Sequence, residues 1–173
     1  MKKYMLWGCQ NQQTVGRQRY FWYNISMFYT QNEEELIALG QKLGTVLKSG
    51  DIVLLTGNLG AGKTTLTKGI AKGLDIKQMI KSPTYTIVRE YEGRVPLYHL
   101  DVYRIGDDPD SIDLDDFLFG QGVTVIEWGE LLSDNLINNY LEIVITRSNQ
   151  GRQVQLEAYG HRAREIIEAI QDV

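Results

Sequence analysis

The 173-residue chain has few of the residues that build cross-linked or metal-clustered domains. Cys9 is its single cysteine, beside two histidines and three prolines. A single cysteine excludes an intrachain disulfide framework and is typical of a reducing compartment, so we expect a cytoplasmic protein. With so few cysteine and histidine ligands, we do not expect a zinc cluster.

Long apolar runs are also missing. No stretch of the sequence approaches the roughly 20 residues that a membrane-spanning helix needs. Lys2 and Lys3 are not followed by the apolar core of about seven or more residues that a signal peptide needs. We therefore expect neither a membrane span nor a secretory signal. The composition, 43% hydrophobic and 23% charged, is typical of one globular domain with a substantial core.

Acidic residues are absent from residues 1–26, which carry four basic residues, whereas residues 27–173 hold 14 basic and 22 acidic residues and a net charge of −8. We expect a domain this acidic to bind nucleic acid weakly by itself, because such binding depends on Lys and Arg neutralising phosphates. Residues 1–26 have three open interpretations: an extension that packs on the domain, a partner-binding arm, or translation from a misplaced start. We place the conventional domain at residues 27–173.

Hydrophobic periodicity predicts an α/β domain. A capping box at residues 30–33 begins a helix with an apolar face, and residues 52–55 follow as a strand. Residues 64–72 are predicted as a second helix, residues 123–126 as a buried strand and residues 161–170 as a closing amphipathic helix. Ser111 is a candidate cap for a further helix.

Two antiparallel hairpins are also predicted. Residues 84–91 are expected to pair with residues 95–103, and residues 141–146 with residues 153–159. The fold class that follows is a P-loop NTPase-type three-layer sandwich, with a mixed, mainly parallel sheet that carries antiparallel hairpins.

Residues 57–64 read Gly-Asn-Leu-Gly-Ala-Gly-Lys-Thr and match the pattern G-x-x-x-x-G-K-[ST] at every fixed position. In such a loop, backbone N–H groups converge on an anion such as a nucleotide phosphate. Lys63 is predicted to reach the β- and γ-phosphates, and the Thr64 hydroxyl to bind Mg²⁺. The predicted nucleotide-binding segment also includes Asn58, Leu59, Gly60, Ala61, Gly62 and Thr65.

Glu127 ends the apolar strand predicted at residues 123–126. P-loop NTPases place an acid at the end of a strand beside the loop, where it holds Mg²⁺ or orients the attacking water. We predict this catalytic role for Glu127. Trp128 follows directly and has two open interpretations, a core aromatic residue or a wall of the nucleotide or partner site.

A second candidate acid is Asp101, within His99-Leu100-Asp101-Val102-Tyr103-Arg104. Alternate residues of a strand share a face, so His99, Asp101 and Tyr103 are expected on one side. Polar residues on one face of a central strand are costly unless they line a site or are paired. Asp101 is therefore predicted to serve Mg²⁺ or water; the alternative is a structural ion pair with Arg104.

The third candidate is the segment Ser82-Pro83-Thr84-Tyr85-Thr86. A loop with a fixed φ at Pro83 and hydroxyl groups on both sides suits a switch, in which Thr84 senses the γ-phosphate or Mg²⁺. Taken alone, the segment is an ordinary loop that enters a strand.

Together, G-x-L-G-A-G-K-T-T, S-P-T-Y-T, H-x-D-x-Y-R and I-E-W-x-E resemble the TsaE (YjeE) family of bacterial P-loop ATPases over roughly residue 27 to the C-terminus. The resemblance implies a role in forming the N6-threonylcarbamoyl group on adenosine 37 of tRNAs that read codons beginning with A. It implies that ATP hydrolysis with Mg²⁺ drives a complex of TsaD and TsaB, which holds the tRNA and performs the carbamoyl transfer.

By position, Lys63 and Thr64 match the family's nucleotide and Mg²⁺ residues, and Asp101 and Glu127 match the acids implied to be required for hydrolysis. Thr84 matches the switch threonine, and Trp128 the aromatic residue beside the nucleotide. Two departures are visible. Asn58 stands where Asp is expected, and residues 1–26 have no expected counterpart in the family.

Three other functional classes are alternatives to an ATPase. A small-molecule kinase uses the same loop, but the sequence lacks an arginine-rich lid, since its arginines are scattered at positions such as 89, 94, 104 and 147. A GTP-driven switch needs an [NT]-K-x-D stretch, which is absent. A non-hydrolysing binding module has no use for Glu127 and Asp101.

Overall fold

The computed structural model describes residues 2–10, 21–104, 114–132 and 137–171, and side chains from Ile25 onward. The strands in these ranges are β1 (Lys2–Gln10), β2 (Phe21–Thr30), β3 (Ile52–Thr56), β4 (Val88–Tyr91), β5 (Leu97–Asp101), β6 (Val123–Glu127), β7 (Tyr140–Ser148) and β8 (Gly151–Tyr159). The helices are α1 (Glu33–Val46), α2 (Lys63–Gly73), α3 (Asp115–Leu118) and α4 (His161–Gln171), with a 3₁₀ turn at Gly129–Leu131.

The strands form one mixed sheet in the order β1-β2-β8-β7-β3-β6-β5-β4. The four strands β7, β3, β6 and β5 are parallel to one another. Antiparallel pairs flank them, β4 with β5 on one side and β7, β8, β2 and β1 on the other. Both predicted hairpins and the predicted mixed-sheet α/β fold class are therefore confirmed, although the described strands form four antiparallel and three parallel pairs, so the sheet is not mainly parallel.

Parallel pairing brings the predicted site residues to one edge of the sheet. The carboxyl ends of parallel strands share an edge, where open α/β sheets bind ligands. Residues 57–64, called here the glycine loop, follow β3 at this edge. Glu127 ends β6 and is the register partner of both Leu55 on β3 and Asp101 on β5.

Two cores cover the two faces of the sheet. On one face, strand residues such as Val53, Leu55 and Val125 pack with α1, α2 and α4. On the other face, alternate residues such as Leu54 and Ile126 pack with α3 and its neighbouring loops. This alternation is the period-two pattern of strands, and it yields the three predicted layers.

Helices α1 and α2 approach so closely that their facing positions must be glycine. A Cβ atom at Gly40 would lie 2.4 Å from the carbonyl oxygen of Leu66, and one at Gly69 would lie 2.2 Å from that of Ile37. Gly44 and Gly73 make the same approach one turn further on. The seam fixes α2, whose first residue is Lys63, against the rest of the domain.

The predicted capping box was placed two residues too early. Asn32 is the N-cap of α1, its side chain accepting a hydrogen bond from the Glu35 N–H, and Glu35 accepts one from the Gln31 N–H. Thr30 cannot take this role, because it is the last residue of β2 and pairs with Arg152 of β8. The two-residue displacement keeps the chemistry of a cap but changes the residues that supply it.

The first hairpin is shorter than predicted. The N–H groups of Thr86 and Ile87 both donate to the carbonyl of Pro83, so residues 84–87 form a turn and β4 begins at Val88. Ile87 has φ of +64°, an uncommon conformation for a β-branched residue. At the other end, β5 stops at Asp101, whose carboxylate accepts the Tyr103 N–H.

The described residues leave two of the predictions untested. Ser111 lies outside the described residues. β2 runs across the predicted boundary between residues 26 and 27, and that boundary stays a prediction. Among the helices described, none is both long and apolar enough to cross a membrane.

Candidate nucleotide site

The glycine loop turns with backbone conformations that side chains disfavour. Gly60 and Gly62 have φ of +71° and +122°, both in the left-handed region that glycine adopts without strain. The N–H of Ala61 closes a turn onto the carbonyl of Asn58, and Leu59 at the tip is 88% exposed. The loop leads directly into the N-terminus of α2, whose dipole favours an anion.

Lys63 is a buried cation at the start of α2. Only 5% of the residue is exposed, and its ammonium group donates to the carbonyl oxygens of Gly57 and Asn58. Burial lowers the pKa of Lys63 below its ordinary value, while the nearby carboxylates, Glu127 first among them, act in the opposite direction. A buried ammonium hydrogen-bonded to neutral carbonyls is suited to an anionic ligand.

Glu127 is held by two side chains through one oxygen. Its Oε1 accepts from the Thr64 hydroxyl at 2.7 Å and lies 2.8 Å from Nε2 of His99. His99 is fully buried, and its Nδ1 has no hydrogen-bond partner among the described residues. Because a carboxylate oxygen accepts hydrogen bonds, this contact fits a ring in which Nε2–H donates to Glu127.

Asp101 forms a second polar contact at the same edge. Its Oδ2 accepts from the Thr84 hydroxyl at 2.7 Å, and the hydroxyls of Ser82 and Thr84 lie 2.7 Å apart. Arg104 does not pair with Asp101 in the described part of the chain; its guanidinium lies 4.9 Å from the ring centre of Tyr85. The ion-pair interpretation of Asp101 is therefore wrong, and Thr84 links the 82–86 loop to the site.

Trp128 packs against the second core, as its core interpretation predicts, and its role as a wall of the nucleotide site stays a prediction. It has φ of +65°, and its N–H donates to the carbonyl of Leu55, so its ring turns back over the site. The Lys63 ammonium lies 3.7 Å from the ring centroid, within cation–π range. The Trp128 ring also packs against the ring of Tyr103, with 5.0 Å between the two ring centroids, and against the second core.

The donor set fits a magnesium ion with bound phosphates better than an ion held by protein alone. Thr64 and Glu127 are in contact, and Asp101 is the register partner of Glu127. Among the described residues, no three His, Cys, Asp or Glu side chains are grouped as a metal site. Mg²⁺ takes one or two carboxylates together with substrate phosphates and water, and Glu127 and Asp101 would supply the carboxylates.

Thr65, also predicted to bind nucleotide, is half-buried, and its hydroxyl is 3.5 Å from Glu33 of α1. The structure thus brings Lys63, Thr64, Glu127 and Trp128 together and places Asp101 with Thr84 beside them. The roles of these residues and of the remaining loop residues stay predictions.

Two arginines beside the glycine loop were missed. Arg147 and Arg152, on the hairpin of β7 and β8, donate to the loop carbonyls of Gly60 and Ala61. They lie 87 and 91 residues from these acceptors. The local pattern around them signals only a hairpin, so the contact depends on the strand order.

Comparison with known proteins gives one consistent result. The family model described as "Threonylcarbamoyl adenosine biosynthesis protein TsaE" matches residues 30–154. A Bacillus subtilis protein named tRNA threonylcarbamoyladenosine biosynthesis protein TsaE is 43% identical over 143 residues, covering 82% of this chain and 90% of the relative. A Nostoc protein of the same name is 37% identical over 152 residues, covering 83% and 92%.

Among solved structures, the chain is similar to the crystal structure of Bacillus subtilis YdiB. The TM-score is 0.78 at 38% sequence identity, and the match covers 87% of this chain and 96% of that one. Fold and sequence therefore agree on the same relatives.

Proposed function

This chain belongs to the TsaE family of threonylcarbamoyladenosine biosynthesis proteins, and from that premise we propose that it binds and hydrolyses ATP to support threonylcarbamoylation of tRNA. The observation that carries the ATPase proposal is the convergence of Lys63, Thr64 and Glu127 at one edge of the sheet, with the Thr64 hydroxyl donating to Glu127 at 2.7 Å. A lysine, a hydroxyl and a carboxylate beside a glycine loop are the parts that phosphoryl transfer to water requires.

The phosphates of ATP would be bound by the glycine loop and Lys63. The loop's N–H groups and the N-terminus of α2 favour an anion, and the buried ammonium group of Lys63 supplies a full positive charge. Lys63 now donates to carbonyl oxygens of the loop, so binding exchanges neutral acceptors for charged ones. Charge-assisted hydrogen bonds are the stronger kind.

Thr64 and Glu127 would hold Mg²⁺, with Asp101 as the second carboxylate. When bound, the ion neutralises charge that develops on the phosphates during transfer. His99 keeps Glu127 in place through its contact with Oε1. Asp101, with Thr84 bound to it, would orient the attacking water; the hydrogen bond from the Thr84 hydroxyl to the Asp101 carboxylate supports this assignment.

The adenosine end of ATP has a separate candidate cavity. It has a volume of about 420 Å³ and lies between the end of β2 and the turn joining β7 to β8. Arg152 lines this cavity and donates to Ala61 of the glycine loop, so cavity and loop are adjacent. Thr30 and Gln31, at and just after the end of β2, also line this cavity.

The proposed partners are TsaB and TsaD, and the tRNA is reached only through them. The acidic balance of residues 27–173 opposes direct binding to a polyanion. The energy of hydrolysis would then drive repeated turnover of the complex that carries out the transfer.

Phosphate release tests the ATPase proposal. With Mg²⁺ and ATP, the chain should release inorganic phosphate. The Glu127→Ala variant should bind ATP about as tightly as wild type, but its rate of phosphate release should be at least about 100-fold lower. A Glu127→Ala protein with the wild-type rate would contradict the role of Glu127. Transfer of the phosphate to a metabolite, instead of its release, would favour the small-molecule kinase.

Reconstitution tests the place in tRNA modification. The chain should restore repeated turnover of threonylcarbamoyladenosine formation to purified TsaB and TsaD that are supplied with tRNA, ATP and an activated threonylcarbamoyl donor. The Glu127→Ala protein should not. Tight, salt-sensitive binding of tRNA to residues 27–173 alone would contradict the indirect role.

A further inference from the structure

Two arginines hold the glycine loop from its outer side. Arg147 donates through Nε and Nη2 to the carbonyl of Gly60, at 3.1 and 2.8 Å. Arg152 donates through Nε to the carbonyl of Ala61 at 2.7 Å. The two arginines are register partners on β7 and β8, so the hairpin presents them as one unit, called here the arginine clamp.

The clamp fixes two successive peptide units of the loop. In a trans peptide the C=O and the N–H point in opposite directions. The peptide that joins Gly60 to Ala61 is held at both ends, by Arg147 at its oxygen and by the carbonyl of Asn58 at its N–H. Arg152 holds the oxygen of the next peptide, which directs the Gly62 N–H away from the clamp.

The glycines of the loop make room for the clamp. A Cβ atom at Gly60 would lie 2.9 Å from Nη2 of Arg147, and one at Gly62 would lie 2.9 Å from Nε of Arg152. Side chains at these positions would push the guanidinium groups off the carbonyls. The loop sequence and the hairpin arginines are therefore matched to each other.

Resting on the proposed function, we propose that Arg147 and Arg152 are positioning residues that pre-form the glycine loop for the triphosphate of ATP. Guanidinium groups stay protonated at all ordinary pH values, so the clamp adds two fixed positive charges beside the phosphate site of an acidic domain. A pre-formed loop binds its anion without ordering the backbone first. The clamp therefore acts on nucleotide affinity and leaves the chemical step to Lys63, Thr64 and Glu127.

The test compares Arg147→Met, Arg152→Met and the double variant with wild type, by calorimetric binding of ATP and of inorganic tripolyphosphate. Methionine keeps an unbranched stem and removes the charge and donors. Each single variant should bind both ligands about tenfold more weakly, because charge-assisted hydrogen bonds are lost. The matched control is Arg164→Met, an exposed arginine of α4 that donates to Gly160 and should bind as wild type does.

Kinetics and a conservative variant separate positioning from folding. The KM for ATP should rise about tenfold in Arg147→Met, with kcat within about twofold of wild type. Arg147→Lys should recover part of the affinity, since it keeps one charged donor. Because Arg147 is exposed, its replacement should leave the thermal transition in place, and amide hydrogen exchange of the glycine loop without nucleotide should be faster.

Arg147→Met and Arg152→Met proteins that bind tripolyphosphate as tightly as wild type would overturn the proposal. So would unchanged hydrogen exchange in the glycine loop, a readout that needs no ligand. If wild type failed to hydrolyse ATP, the proposed function would fail, while the tripolyphosphate comparison would still decide the clamp.

Discussion

The sheet carries two pairs of acidic side chains, one on each face. The two members of each pair lie opposite each other on neighbouring strands. Asp101 of β5 and Glu127 of β6 are register partners on the face covered by α2, called here the site acid pair. Glu142 of β7 and Glu157 of β8 are register partners on the other face, called here the outer acid pair. Like charges directly opposite each other are unfavourable in a sheet, so each pair must be compensated.

The site acid pair is compensated by a cation and by several donors. Lys63 lies beside it, close enough for both carboxylates to influence its pKa. Hydroxyl donors come from Thr64 to Glu127 and from Thr84 to Asp101. Each carboxyl group of the site acid pair thus has a hydroxyl donor, and the pair shares a neighbouring ammonium group.

The outer acid pair has donors but, among the described residues, no ion pair with a basic side chain. Thr56 donates to Glu142, while Gln155 and Tyr159 donate to Glu157. Burial, followed by the charge of Glu157, raises the pKa of Glu142 above its ordinary value. Burial and the same two carboxylates also raise the pKa of Tyr159. The two pairs therefore differ in their neighbours: a lysine lies beside the site acid pair, whereas the outer acid pair has only neutral donors among the described residues.

The largest effect is expected when the cation beside the site acid pair is removed, which tests the difference between the two pairs directly. Lys63→Met should reduce ATP hydrolysis by about 100-fold or more, because a charge that stabilises the transition state is lost. Phosphate release measures the effect. Lys68→Met, on the same helix and paired only loosely with Glu33 at 3.6 Å, is the matched control and should keep its activity. Equal rates of phosphate release in the two variants would contradict a catalytic role for Lys63.

The next largest effect should come from His99, which touches the site acid pair. His99→Phe removes the donor to Glu127 and should lower kcat by about 10- to 100-fold, as outer-shell partners of metal ligands do. His99→Gln can place an amide N–H near the position of Nε2 and should recover part of the rate. If both variants lost the same activity and the same thermal stability, His99 would be a packing residue only.

Neutralising one member of the outer acid pair should have a smaller effect, and this effect should be a gain in stability instead of a loss of activity. Glu142→Gln keeps an acceptor for Thr56 and removes the repulsion with Glu157. It should raise the free energy of unfolding at neutral pH by a few tenths to about 1 kcal/mol, allowing for its partial exposure. Urea denaturation measures this, with exposed Glu168→Gln as the control. A loss of stability would mean that the charge on Glu142 is favourable.

The smallest expected effect is a change in how the free energy of unfolding depends on pH. Because the folded pKa of Glu142 is raised, the folded chain binds more protons than the unfolded chain just above the ordinary pKa of 4.5. The free energy of unfolding should therefore fall as pH rises from that value through the raised pKa. The fall should be shallower in Glu142→Gln than in wild type. Identical slopes over this interval would contradict the raised pKa.

Periodicity predicted most elements because local patterns encode them. Ala163, Ile166, Ile167 and Ile170 are all buried on α4, as the helical spacing predicted. The errors fall where long-range pairing changes a local preference. Thr30 is a good helix cap in isolation, but pairing with β8 makes it the end of a strand. Thr84 to Thr86 have strand residues, yet the turn at Pro83 and the contact with Asp101 shorten β4.

By itself, the sequence determined which side chains carry the candidate chemistry, because a glycine loop with Lys63 and Thr64 and a strand ending in Glu127 are local patterns. Only the tertiary structure decided what surrounds them. The contacts of His99 with Glu127 and of Arg147 with Gly60 span 28 and 87 residues and depend on the order of the strands. The two acid pairs look alike as strand residues, and the lysine that distinguishes them comes from a different segment. Distances of this kind arise from packing, which no local pattern contains.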